Sequence, residues 1–378
     1  MKILLVGEYS RLHNSLKEGL IELDHQVTII ATGDYFKNYP VDIKLYRKYN
    51  HGVSKKIKVL LYKLFKIDIT SIAIKNQFFS HQEALKGFDI VQLINESSIG
   101  VTPKHEKEFI TFLKEHNKKL FLLSCGTDYM SVKHSFDKKP NYSILEPYFN
   151  GKASKKSFAP ILKYLEPEYK SLHEFVFNRI EGVIASDLDY HIPLKDHSKY
   201  LGLIANPINT ELLEFMPLKI TEKVIIFHGI NRANYYKKGN DYFEEALDII
   251  QKKHPNKVKI KIVESLPYKE YIKTYNEAHI VLDQVLAYDQ GYNALEAMAK
   301  GKLVFTGAEE EFNNYYQLEN KVAINALPNA QKIASSLEEL ILNPELIIEI
   351  GKNARAFIEK EHDYLKIAKK YIALWGTY

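Results

Sequence analysis

The feature that most constrains this chain is an alternation of strand-length apolar runs with helix-period segments, and the alternation occurs twice. The run "KILLVG" is apolar from Ile3 to Val6 and is stopped by Gly7. Leu12, Leu16, Leu20 and Leu23 then recur at the spacing of one helix face, and a second apolar run follows at Val27 to Ala31. Further strands are read at Asp89 to Ile94, Leu120 to Leu123 and Gly182 to Ala185. Between them, Pro103 to Asn117 reads as a helix with Phe109, Phe112 and Leu113 on one side. Strands separated by helices predict an α/β fold with a parallel sheet.

The pattern restarts at "KVIIFHG", Lys223 to Gly229, a strand ending in glycine. "GNDYFEEALDIIQKK" follows as a helix, with Asp241 and Glu244 spaced as a capping box. "VKIKIV" alternates, as a strand with one wetter face does. "PYKEYIKTYNEA" reads as a helix, "HIVLD" as a strand, "DQGYNALEAMAKGK" as a helix between two glycines, and "KLVFTG" as a strand. At 378 residues the chain exceeds the size at which one core keeps growing, which predicts two domains. Residues 1–205 and 206–360 are their predicted extents, joined near "LIANPINTELLEF", whose proline and asparagines suit a linker.

Composition removes several classes. A net charge of +5, from 52 basic and 47 acidic residues, is too weak to argue for nucleic acid without a focused patch. The single cysteine, Cys125, excludes an internal disulfide framework and a cysteine-rich zinc site. The apolar run in "MKILLVGEYSRLH" is shorter than a signal peptide needs, and no stretch approaches the roughly 18 apolar residues of a spanning helix. A cytosolic protein is the expectation. The first turn, "GEYSRL", lacks the G-x-G-x-x-G of a dinucleotide site, and no P-loop, G-x-S-x-G or H-E-x-x-H occurs.

In a doubly wound sheet, ligands gather beyond the carboxyl ends of the strands, facing helix N-termini whose free N–H groups attract phosphate. Glu296 is the single carboxylate between the two glycines of "DQGYNALEAMAKGK", Gly291 and Gly301, in a run mostly small, apolar or amide. A carboxylate one turn into such a helix suits hydroxyl donors better than phosphate. A ligand carrying both phosphate and a ribose diol satisfies the site, and that describes a nucleotide. Arg232, Lys237 and Lys238 share the loop before a second helix, an arrangement that can clamp a diphosphate leaving group. The blander reading of that loop is a solvated basic surface. His228 at the strand end fits packing and ligand contact equally well. Asp187 and Asp189 in "SDLD" have the look of a metal-binding D-x-D, but patterns this short arise by chance, and no metal is expected.

"SKKIKVLLYKLFKID", residues 54–68, sets Ile57, Leu60, Leu61, Leu64 and Phe65 on one helical face, with Lys55, Lys56, Lys58, Lys63 and Lys66 on the remainder. Such a helix either lies on an anionic bilayer or packs its apolar stripe on its own domain. Both readings stand at this stage.

Taken together, "HGINR…KKGNDYFEEAL", "LPYKEYIKTYNEAHIVLDQ" and "GYNALEAMAKGKLVFTG" resemble the C-terminal donor domain of the retaining, family 4 (group 1) glycosyltransferases of the GT-B fold. The N-terminal half resembles them more loosely, through its first strand, turn, helix and second strand, through "LLSCGTD" and through "IANPIN". The resemblance implies two Rossmann-like parallel-sheet domains facing a cleft, with residues 361–378 packing back on the N-terminal domain. It implies transfer of a hexose-type sugar from a UDP- or GDP-sugar to a glycan or lipid-linked hydroxyl acceptor, without metal or other cofactor. The setting it implies is surface polysaccharide or glycolipid synthesis, in the cytoplasm or at the inner face of the membrane.

By position, Glu296 then binds ribose hydroxyls, while Arg232 and Lys238, with Lys237 as the alternative, meet the diphosphate. Gly291 and Gly7 let the donor approach the backbone, and Gly229, Asp289, Tyr292 and Asn293 complete the donor set. Two departures stand out. The family's second glutamate is replaced by Tyr288, leaving Asp289 or Asp283 as substitutes. The N-terminal loop's usual histidine is Cys125, leaving Asp128 as the nearest polar candidate. Those departures keep two rivals open, a sugar-nucleotide epimerase of the same architecture and a non-catalytic glycosyltransferase-like binding subunit.

Overall fold

Two parallel sheets, each with its own core, organise the chain. The structure is a computed structural model that describes residues 1–33, 39–264 and 268–378. Its contacts group the chain into two units. The first comprises Met1–Lys133, Pro160–Pro207 and Tyr364–Tyr378, and the second comprises His134–Ala159 and Ile208–Asp363.

Among the described residues the first unit has seven strands: β1 (Lys2–Val6), β2 (Gln26–Ala31), β3 (Ile43–Lys44), β4 (Ile90–Leu93), β5 (Lys119–Ser124), β6 (Val183–Ala185) and β7 (Tyr200–Leu203). They pair in parallel in the order β3-β2-β1-β4-β5-β6-β7. Ile3 to Val6 and all of β4 are buried, as expected for strands covered on both faces. The helix Leu12–Glu22 buries Leu12, Leu16 and Leu20, the stripe that its spacing predicts. It packs against the last helix, Tyr364–Thr377, whose Trp375 is fully buried and donates its Nε1 hydrogen to Gln92 Oε1 at 3.3 Å. The helix Pro103–His116 buries Phe109, Phe112 and Leu113 and stacks Phe109 on Phe78 with ring centres 4.2 Å apart.

The second unit's described strands are β8 (Val224–Ile230), β9 (Val258–Glu264), β10 (Ile280–Leu282), β11 (Leu303–Thr306) and β12 (Ile324–Asn325), all parallel, in the order β12-β11-β10-β8-β9. β9 is the edge strand, which accounts for its alternation and for the half-exposed Ile262. The helix expected over "PYKEYIKTYNEA" runs Tyr268–Asn276; Pro267, its expected first residue, lies outside the described residues.

Two local expectations are corrected. β8 does not end at Gly229 but continues through Ile230, pairing Gly229 with Val263. Asp241 and Glu244 form no capping box, because the helix Asn240–Lys253 begins one residue before Asp241, with Gly239 at its N-cap in the left-handed region. Asp241 instead binds Lys152, and Glu244 accepts the Tyr235 hydroxyl. The sequence reading also has no counterpart of the excursion in which residues 134–159, between two stretches of the first unit, group with the second.

Candidate active site

The second unit's strand order reverses beside β8. The chain leaves β8 for β9 on one side, then builds β10, β11 and β12 on the other. A crevice forms at such a reversal because the turns that follow the two strands diverge. Across it Lys238, in the turn after β8, donates to Asp283 Oδ1, just past β10, at 2.7 Å. The backbone reinforces this link, since Val285 N donates to Lys238 O at 2.9 Å.

Asp283 is only 7% exposed, and its second oxygen, Oδ2, is buried without a hydrogen-bond partner among the described residues. A β-carbon placed on Gly291 would lie 3.7 Å from that oxygen, so Asp283 borders the N-cap of the helix Tyr292–Ala299. Two further buried atoms, Gln290 Oε1 in the segment after β10 and Thr306 Oγ1 at the end of β11, also lack partners among the described residues. Gln290 Nε2 is anchored on Gly307 O at 2.7 Å, next in sequence to Thr306. A buried polar atom left unpaired costs about 1–3 kcal/mol, so three of them at and beyond the carboxyl ends of β10 and β11 mark a place shaped for something other than packing.

The expected donor residues divide among several roles. The helix Tyr292–Ala299 buries Ala294, Leu295, Ala297, Met298 and Ala299. Glu296 and Tyr292 are half-buried and Asn293 is exposed, and their three- and four-residue spacing sets Glu296 on one side with both. Asp289 is buried, and its Oδ1 accepts its neighbour's amide, Gln290 N, at 2.7 Å. Arg232 is not brought to Lys238. It is exposed in the turn Arg232–Asn234 and binds Glu264, the last residue of β9, through Nε and Nη2 at 2.7 Å each. β9 and β10 flank β8 on opposite sides, so the two cations are drawn apart by their carboxylates. Lys237 is half-buried, and burial together with Lys238 lowers its pKa.

His228 packs edge-on to Phe243 with no exposure, and burial pushes its imidazole down to about 4, which favours the packing reading. Tyr288, where the resemblance expects a glutamate, is buried and accepts the amide of Asn141 at 2.9 Å.

In the first unit the order reverses between β1 and β4. Gly7, at φ +89°, turns the chain there, and a β-carbon on it would meet Ser98 O at 2.6 Å and the Ile94 side chain. Local packing therefore already requires this glycine. Asp128 is buried and fully engaged, taking the Ser124 hydroxyl on Oδ2 and Ser131 N on Oδ1 at 2.8 Å. It caps the helix Tyr129–Phe136. The Cys125 thiol is pushed up to about 12 by burial, with Asp187 and Glu8 adding to the shift. Asp187 caps the helix Leu188–Leu194 by accepting Asp189 N at 3.1 Å. No group of three or more His, Cys, Asp or Glu side chains among the described residues is placed to hold a metal ion.

Sequence reasoning missed Glu8. Its Oε2 accepts Asn14 N at 2.9 Å and Asn14 Nδ2 at 2.6 Å, and its Oε1 is buried without a partner among the described residues. Burial pushes the carboxyl up to about 7. Ser10 and Arg11, at φ 52° and 78°, give the same turn two strained non-glycine residues. The one available signal was an acid directly after the strand-ending glycine.

Residues 225–373 match the family described as Glycosyl transferase-like. No curated protein matches the chain. Among solved structures, sucrose-phosphate synthase from Thermosynechococcus elongatus aligns with a TM-score of 0.65 at 14% identity, over 100% of this chain and 98% of that one. The Anabaena HepE protein in complex with UDP-glucose aligns at 0.59 and 12% identity over the whole of both chains. UDP-GlcNAc 2-epimerase from Neisseria meningitidis, bound to UDP-GlcNAc, aligns at 0.51 and 13%, again over both whole chains. Residues 225–373 thus match the Glycosyl transferase-like family, within a chain that has the two-sheet fold of the GT-B glycosyltransferases.

Proposed function

We propose that the protein transfers a sugar from a nucleotide-diphosphate sugar to a hydroxyl acceptor, with the second unit holding the donor. The carrying observation is the strand-order reversal at β8 and β10. There Lys238, the half-open carboxylate of Asp283 and the N-terminus of the helix bearing Glu296 meet. Glu296 binds the ribose hydroxyls. Asp283 takes the place of the family's second acid and receives hydroxyls of the donor sugar on Oδ2. Lys238 and the helix N-terminus at Gly291 stabilise the diphosphate as its charge grows, so the reaction needs no metal, and Arg232 joins them only on release from Glu264. Retention of anomeric configuration is the stereochemical reading, and a hexose is the transferred group.

The first unit presents the acceptor, a glycan or lipid-linked sugar of surface polysaccharide or glycolipid synthesis, at the cytoplasmic face of a membrane. The helix Gly52–Phe65 supports that location. It has no buried residue, with Val53 71%, Leu64 63% and Phe65 64% exposed. Every charged residue between Asp42 and Asp68 is basic. No described helix is long and apolar enough to cross a membrane, so association here is peripheral, through a helix lying in the interface.

The test is incubation with UDP-glucose, UDP-GlcNAc and GDP-mannose, following release of UDP or GDP with and without sugar acceptors and EDTA. Glu296→Ala should weaken donor binding by about one to two decades, the worth of a charge-assisted hydrogen bond. Unchanged affinity by calorimetry removes Glu296 from the site. Interconversion of the sugar without acceptor would identify an epimerase, and nucleotide binding without turnover would identify a binding subunit.

A further inference from the structure

Residues 134–159 make contacts of a particular kind. Asn141 N donates to the Tyr288 hydroxyl at 2.9 Å, and the Tyr142 ring lies 5.4 Å from the Tyr288 ring at 37°. The Tyr142 hydroxyl donates to Glu309. Lys152 Nζ binds Asp241 Oδ2 at 2.7 Å and sits 4.3 Å over the Tyr242 ring. Tyr142 and Ile144 also pack on the second unit's core. The landing points are not scattered. Asp241 and Tyr242 open the helix after β8, Tyr288 lies in the turn after β10, and Glu309 is the N-cap of the helix Glu310–Tyr316 after β11. These three turns include the two that carry Lys238, Asp283 and Gly291.

We propose that residues 134–159 are a strap that sets the donor-binding turns, with Tyr142 and Tyr288 as its positioning residues and a nucleoside diphosphate as the ligand that depends on it. The inference rests on the donor reading above. The turn from Asp283 to Gly291 has no regular structure to hold it. Such a segment is ordered by what docks on it. Tyr288 supplies that dock twice, through a hydroxyl that accepts a backbone amide and a ring that packs at a tilt against Tyr142. A tyrosine where the resemblance expects a glutamate is therefore a gain of anchoring, and the open carboxylate is left to Asp283. With the strap docked the turn is preorganised; with it released, binding must order the turn and affinity falls.

Hydrogen exchange of the full chain, with and without UDP or GDP, tests this. In the wild type one nucleotide should slow exchange in both 283–296 and 134–159. Tyr142→Ala should speed exchange in 134–159 and weaken that nucleotide by about tenfold, while amides of β8, β10 and β11 keep their protection. Tyr142→Phe, which keeps the ring and loses the hydroxyl that binds Glu309, should fall between, and it decides the matter if Tyr142→Ala fails to fold. A strap that exchanges faster with nucleotide affinity unchanged is a tether and overturns the proposal. Protection of 283–296 without any change in 134–159 overturns it while leaving the donor reading intact. Failure of both nucleotides to protect 283–296 overturns the donor reading and the strap with it.

Discussion

Lys238 and Arg232 carry the same charge in the same loop, and their surroundings separate them. Asp283's side chain is 5% exposed and Lys238's 27%, whereas Arg232 and Glu264 both stand in water. Removing one partner of a sheltered pair strands the other, at about 3–5 kcal/mol for full burial and less here because Lys238 is partly wet. Lys238→Ala should therefore lower the denaturation midpoint of the second unit clearly, and Arg232→Ala should barely move it. Lys238→Ala combined with Asp283→Ala should recover part of the loss, as read by circular dichroism in urea. Glu8 gives a pH signature. Its folded pKa, about 7, lies above the ordinary 4.5 because burial disfavours the carboxylate. Below pH 4.5 both states are protonated. Between 4.5 and 7 the unfolded chain binds fewer protons, so stability falls as pH rises through that window and levels off above it, by at most about 3 kcal/mol. Glu106 is raised to about 7 as well and Glu96 is raised too, chiefly by burial. His13 and His228, both pushed down to about 4 by burial, give the opposite slope over much of the window, so the difference between variant and wild type isolates Glu8. Relative to the wild type, Glu8→Gln should gain stability on going from pH 5 to pH 7.5 in thermal unfolding, and an unchanged difference would mean that Glu8 does not titrate as its burial implies.

At the scale of elements, the helix Gly52–Phe65 is the clearest departure from ordinary packing. Of the two sequence readings, packing its apolar stripe on its own domain does not describe it, since Ile57, Leu60, Leu64 and Phe65 are all exposed. If it lies on an anionic surface, its lysines contribute about 1 kcal/mol each. The protein should then sediment with phosphatidylglycerol vesicles, poorly with phosphatidylcholine ones, and less as salt screens the attraction. Replacing Lys55, Lys56, Lys58, Lys63 and Lys66 by glutamine should release it without lowering its melting temperature. Equal, weak sedimentation of both forms on either vesicle would count against a membrane role. This helix was legible because its period and charge are local properties. So were the strands, whose continuous apolar runs report burial on both faces, and the helix that carries Glu296. The 134–159 excursion was not legible, because nothing local says which unit Tyr142 will meet. Asp283 was one of two open alternatives, and Gln290 and Thr306 were missed, for the same reason: an unpaired oxygen is a fact about neighbours.

At the scale of the whole molecule, the chain ends in the unit where it began. Helix Tyr364–Thr377 packs on helix Leu12–Glu22, and Gly19 is the point of closest approach that a side chain would disturb. A β-carbon there would lie 2.5 Å from Tyr364 O and 3.0 Å from Ala368 Cβ. Backbone cannot swing aside as a side chain can, so Gly19→Val should push the last helix outward. The overpacking costs about 1–3 kcal/mol, more than the few tenths that valine gains over glycine in helix propensity. The readout is built in: the chain has one tryptophan, Trp375, fully buried on that helix. Gly19→Val should shift its emission to longer wavelength and lower the midpoint of fluorescence-monitored unfolding. Nucleotide affinity should stay at its wild-type value, because Lys238, Asp283 and Glu296 belong to the other unit. Gly376→Ala is the matched control, since nothing lies within 4 Å of its added carbon. A Gly19→Val protein with wild-type emission and midpoint would show that the last helix is not held by this contact, and the chain's return to its first unit would then depend on Trp375 and its neighbours alone.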